Sequence, residues 1–217
     1  MKSLDAIRRS AAFEGSIYLE LYRQLGLGEK GIVLFTAPSG GEGVSTVCVE
    51  FALFTSLRAG RRTLLVDAHL ERPDLSEMLR SAARGPGLRG LLAGATAEGD
   101  SVGTTEVPNI FFLHAGPERR PGQLPVVERD SVGAVLARLR GSFDLVVVDC
   151  PPVSAMSDAL VVGAASDACV LVIEAERTRR EVAQAAVDRL EEAKVRLSGV
   201  FLNKQRFHIP EPIYRRL

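Results

Sequence analysis

Six short, almost uninterrupted apolar runs lie at residues 32–35, 63–66, 110–113, 145–148, 169–173 and 199–202 of this chain. They alternate with segments at 46–59, 127–139 and 177–193 in which apolar residues recur at helical spacing. Runs of four or five residues, mostly Val, Ile, Leu and Phe and without polar alternation, suit strands buried on both faces. Such strands, separated by helical crossovers, specify a parallel sheet with helices on either side. The expected fold class is therefore α/β, a doubly wound and mostly parallel sheet in a single domain. Ligands of such sheets bind outside the carboxyl ends of the strands. The residues that follow each run are thus where chemistry is to be sought.

Around that core, residues 16–25 read as a short amphipathic helix closed by Gly26, Leu27 and Gly28. The expected organisation is an N-terminal helical appendage at 1–28, the α/β domain at 29–205 and a C-terminal tail at 206–217. The Gly, Ala and Ser-rich stretch 81–103 reads as one short helix among mobile loops.

Lys plus Arg and Asp plus Glu are each 27, so there is no bulk electrostatic case for a nucleic-acid partner. Cys48, Cys150 and Cys169 form no C-x-x-C pair and read as reduced core thiols of a cytosolic protein. No apolar run reaches the roughly 18 residues of a membrane span, and residues 1–10 lack the apolar region of a secretion signal.

Three elements at strand ends carry the chemistry. The first is the stretch 39–46, S-G-G-E-G-V-S-T, directly after the first run. Backbone N–H groups of a glycine-rich turn that opens a helix cradle an anion without any side-chain charge. Gly40, Gly41, Glu42, Gly43, Val44, Ser45 and Thr46 are accordingly the expected cofactor-binding residues, with the Ser45 hydroxyl placed to ligate Mg²⁺. A phosphate-loop lysine would reach the outer phosphates, and Val44 occupies its position. The second element ends the run 63–66 in Asp67, and the third ends 145–148 in Asp149, before Cys150, Pro151 and Pro152. A carboxylate closing a buried strand can hold Mg²⁺ through a water or orient a nucleophile, so Asp67 and Asp149 are candidate metal and catalytic residues. Helix capping or a turn is the plainer role for Asp67. His69 reads as a loop histidine with no visible partner, and the pairs Arg119, Arg120 and Arg179, Arg180 as solvated faces.

From about residue 16 to the end, the chain resembles the cytoplasmic ATPase domain of bacterial tyrosine kinases (BY-kinases) and related capsular and exopolysaccharide biosynthesis proteins. These belong to the MinD/ParA-like deviant P-loop group. The resemblance rests on G-G-E-G-V-S-T at 40–46 against a family loop P-G-E-G-K-S-T, and on D-A-H-L-E-R-P at 67–73 against D-A-D-x-R-x-P. F-D-L-V-V-V-D-C-P-P at 143–152 matches a Walker B segment. S-D-A at 157–159, T-R-R-E at 178–181 and V-F-L-N-K at 200–204 complete it.

The resemblance implies ATP or ADP with Mg²⁺ as cofactors, bound weakly or not at all, and makes Asn203 a candidate adenine contact. It also implies a membrane-embedded polysaccharide co-polymerase or chain-length protein as partner, a cytoplasmic place at the inner membrane through that partner, and a homo-oligomer. The departures cluster at the chemistry. Val44 replaces the loop lysine, Ser39 the signature lysine, His69 a second carboxylate and Glu71 an arginine, leaving Arg72 to contact phosphate or solvate a helix start. The family's oligomerisation motif survives as Glu20 and Arg23 ahead of Gly26, and its terminal tyrosine cluster as Tyr214. The expected function is a catalytically impaired regulator or scaffold. The alternative is an active kinase or ATPase using Ser45, Asp67 and Asp149; a positioning ATPase is a more distant third.

Overall fold

The computed structural model describes residues 15–70, 73, 75–79, 85–94, 101–117, 128–155 and 158–205. Residues 1–14, Glu71, Arg72, Arg119, Arg120, Ser157, Tyr214 and the tail 206–217 lie outside them, and with them several of the expectations above.

Each of the six apolar runs is a strand, extended by no more than two residues at either end. In chain order the elements are α1 (Gly15–Leu25), β1 (Gly31–Thr36), α2 (Val44–Leu57), β2 (Thr63–Asp67), α3 (Leu75–Leu79), α4 (Gly87–Leu92) and β3 (Val102–Thr104). There follow β4 (Ile110–Leu113), α5 (Arg129–Ser142), β5 (Leu145–Asp149), α6 (Asp158–Ala164), β6 (Ala168–Glu174), α7 (Arg180–Glu192) and β7 (Leu197–Asn203). The described strands form one sheet in the order β3-β4-β2-β5-β1-β6-β7, parallel except where β3 runs antiparallel to β4.

The inner strands are buried on both faces because they alternate two apolar sets; the expectation of a buried strand at 199–202 is corrected, since β7 is an edge strand that buries Phe201 and leaves Val200 and Leu202 exposed. Val33, Phe35, Leu65 and Val147 point into one core with α1, α2 and α3. Ile32, Leu34, Leu64, Val66, Val146 and Val148 point into the other, with α4, α5, α6 and α7. Successive side chains of a strand face opposite sides, so a continuous apolar run is what two covered faces require. Helix α1 packs on α2 and β7: Tyr18 stacks on Phe201 with ring centroids 5.6 Å apart, and its hydroxyl donates to the buried Glu50 carboxylate.

Candidate nucleotide site

β2, β5 and β1 lie side by side with their ends in register: Asp67, the last residue of β2, pairs with Asp149, the last of β5, and Asp149 with Phe35, one residue before the end of β1. The two carboxylates thus meet at the carboxyl edge of the sheet, directly where β1 passes into the glycine-rich loop. Ala68 N–H donates to Asp149 O, Cys150 N–H to Phe35 O and Val153 N–H to Ala37 O, so the loops after all three strands leave together.

Asp67 and Asp149 are 0% and 1% exposed. The Asp67 carboxylate accepts from His69 N–H at 3.0 Å and Leu75 N–H at 3.3 Å, tying the turn after β2 and the start of α3 to one side chain. That is the plainer role foreseen for Asp67, and it also fixes the carboxylate's direction. Burial raises the Asp67 pKa to about 7, with the Asp149 charge adding to it and the two N–H groups opposing it. Cys48, one turn into α2, is pushed well above the usual thiol range by burial and then by Asp149, with which it shares a hydrogen bond. It therefore remains a thiol. The helix that the glycine loop opens accordingly sits against Asp149.

The expectation that His69 has no partner is corrected: His69 Nε2 lies 3.9 Å from Asp149 Oδ1. The register of β2 with β5 brings the residue two places after Asp67 toward the neighbouring strand's carboxylate, a relation invisible along the chain.

The loop itself turns at two glycines of positive φ, Gly41 at 95° and Gly43 at 90°. Gly43 is the N-cap of α2 with no side-chain cap, so the first-turn N–H groups of a 14-residue helix are left for another acceptor. A Cβ on Gly43 would stand 2.6 Å from Asn203 Nδ2, which donates to Glu42 O at 2.8 Å. Next to it, Lys204 Nζ donates to Gly41 O at 2.6 Å and to Glu174 Oε2 at 2.9 Å. The end of β7 therefore grips the loop by two consecutive carbonyls. Val44 is 8% exposed and belongs to the core on the α1 and α2 side, so its side chain takes no part in lining the loop's mouth.

A cleft of about 310 Å³ opens between Ser39, Gly40 and Glu42 on one side and Glu174, Arg177, Thr178, Arg179 and Val182 on the other. Arg179 is exposed as expected of a solvated face, yet it lines this cleft. Burial raises the Glu42 pKa, against the N–H groups of Glu42 and Ser39. Lys204's hydrogen bond holds Glu174 below the usual carboxylate range.

Comparison with known proteins finds relatives that match most of the chain. The chain is 28% identical over 200 residues to tyrosine-protein kinase CpsD of Streptococcus agalactiae, covering 92% of this chain and 81% of that protein. It superposes on the kinase domain of VpsO with a TM-score of 0.73 at 28% identity, covering 92% and 95% of the two chains. Over nearly its whole length the chain is similar to bacterial tyrosine-protein kinases of the BY-kinase type. The fold alone is also that of MinD from Pyrococcus horikoshii in its complex with Mg-ADP, with a TM-score of 0.64 at 22% identity, covering 86% and 76%. No family model matches the chain.

In this BY-kinase-like chain the P-loop residues Gly40, Gly41, Glu42, Gly43, Val44, Ser45 and Thr46 form one continuous turn into α2, with Ser45 and Thr46 half-buried at the helix start. Asp67 and Asp149 lie together at the adjoining strand ends, and Asn203 lies on the loop's rim. Glu42 and Gly40 line the open cleft, whereas Asp67 and Asp149 do not. The hydroxyl of Ser45 and the two carboxylates are hard oxygen donors of the kind Mg²⁺ takes. No group of three or more His, Cys, Asp or Glu among the described residues could hold an ion unaided. Mg²⁺ keeps several waters and leans on substrate phosphates rather than on a full set of protein ligands. When bound, the ion would neutralise the paired carboxylates and polarise phosphate oxygens.

Glu174, Arg177 and Lys204 escaped sequence reasoning. The signal was present for Glu174, which closes β6 as Asp149 closes β5, and for Lys204, which directly follows Asn203.

Proposed function

We propose that this BY-kinase-like P-loop protein serves bacterial exopolysaccharide or capsule synthesis and export as a catalytically impaired regulator or scaffold of a membrane-embedded co-polymerase or chain-length protein. The observation that carries this reading is Val44: the position of the phosphate-loop lysine is filled by an apolar side chain packed in the core. Losing a preorganised donor to a transition state typically costs about 10²–10³ in rate. A charge-assisted hydrogen bond in the ground state is worth only about 1.5–3 kcal/mol. Turnover therefore suffers more than binding, and the loop amides still offer Mg-ATP or Mg-ADP a weak site. No helix among the described residues is long and apolar enough to cross a membrane, so contact with the membrane would come through the partner.

Calorimetric titration of the wild type and Val44→Lys with Mg-ADP and Mg-ATP tests the reading. Weak binding that the lysine tightens supports it, and the absence of binding to either protein at about millimolar nucleotide leaves only the scaffold role. The alternative, an active kinase or ATPase with a non-standard loop, draws on the cations Lys204 and Arg177 at the loop's rim. Phosphate release above background that Asp149→Ala abolishes would establish that alternative.

A further inference from the structure

Two cations and one carboxylate meet at the rim of the phosphate loop. Glu174 Oε2 accepts from Lys204 Nζ at 2.9 Å and from Arg177 Nη1 at 3.1 Å, and Lys204 Nζ also donates to Gly41 O at 2.6 Å. Two positive charges that share one carboxylate leave a net positive charge beside N–H groups that the helix start leaves open. The lysine side chain is 44% exposed and free to exchange partners, while its backbone N–H is fixed on Asn203 Oδ1, itself tied to the loop through Glu42 O. Across the cleft stands the Glu42 carboxylate, whose Oε2 has no hydrogen-bond partner among the described residues.

We propose that Lys204 is the phosphate-binding cation of this chain, replacing from the end of β7 the lysine missing at Val44, with Glu174 holding it until a di- or triphosphate enters. This rests on the reading that the loop takes nucleotide. An ammonium on a flexible four-carbon stem acts on phosphate as a movable point charge, so it can exchange a carbonyl and a carboxylate acceptor for phosphate oxygens without rebuilding the loop. Arg177 stays on Glu174 and compensates its charge once the lysine leaves. No bond is made or broken in the exchange.

The test is the affinity of wild type, Lys204→Met, Glu174→Ala and the double variant for Mg-ADP and for AMP, read by displacement of a fluorescent ADP. Lys204→Met is expected to weaken Mg-ADP about ten- to a hundredfold, the worth of a charge-assisted hydrogen bond, and to leave AMP within about twofold. Glu174→Ala is expected to tighten Mg-ADP several-fold by freeing the lysine, a gain that disappears when Lys204→Met is added. Lys204→Gln replaces the methionine variant if thermal melting shows that the latter is misfolded. Wild-type binding with unchanged affinity in Lys204→Met overturns the assignment and leaves the nucleotide reading intact. Weaker binding in Glu174→Ala also overturns it, because a purely structural latch would behave that way. If the wild type takes up no Mg-ADP at about millimolar concentration, the nucleotide reading and the assignment fall together.

Discussion

Asp67 and Asp149 are register partners on neighbouring parallel strands, both buried, so two carboxylates share one edge of the sheet. Folding therefore raises the pKa of Asp67 from its usual range to about 7. The folded state holds a proton that the unfolded chain releases above about pH 4. The stability tied to that proton is complete below pH 4 and is lost as pH rises through 7. In metal-free buffer, Asp67→Asn is thus expected to be more stable than wild type at about pH 8, by roughly 1–3 kcal/mol, with the gap closing toward about pH 5. Urea unfolding of the two proteins across that interval is the measurement, and a gap independent of pH would refute the assignment.

Replacing Val44 by lysine sets stability against binding. The side chain must leave the core or carry its charge there, so the fold is expected to lose about 1–3 kcal/mol in the absence of ligand. Saturating Mg-ADP should return part of that loss through binding linkage. Melting temperatures of both proteins with and without Mg-ADP read this directly: the ligand-induced rise should be larger for Val44→Lys.

Gly43 is constrained twice, by a φ of 90° and by Asn203 Nδ2 in the place of a Cβ. Gly43→Ala is expected to cost about 1–3 kcal/mol. Adding Asn203→Ala removes the clash and leaves the backbone penalty, so chemical denaturation should show the pair to be less destabilised than the sum of the singles.

Helix α1 is anchored by Tyr18, fully buried between Phe51 and Phe201. Tyr18→Ala should cost about 3–5 kcal/mol, as for other buried aromatic truncations. The same denaturation assay decides it: a cost under about 1 kcal/mol would mean that α1 contributes little to the core.

Six of the strands were readable because each is centred on a short run rich in Val, Ile, Leu and Phe, a pattern suited to a sheet covered on both sides. The placement of Asp67 and Asp149 at strand ends was readable because each carboxylate closes such a run. Strand β3 was not readable. Its three residues, Val102, Gly103 and Thr104, are too few to show a period, and pairing with β4 supplies what propensity lacks. Helices α3 and α6 were missed for the same reason, at five and seven residues. The neighbours of His69 and Lys204 depend on which strand ends stand beside one another, which belongs to sheet order rather than to local sequence.

The grip of Asn203 and Lys204 on Glu42 and Gly41 spans more than 160 positions. During synthesis, β1, β2 and β5 can all emerge from the ribosome while those two carbonyls still lack their donors. The anion cradle begins near residue 40, yet it takes its final shape only after residue 204 has been translated, which makes an early-encoded loop one of the last parts of the molecule to mature.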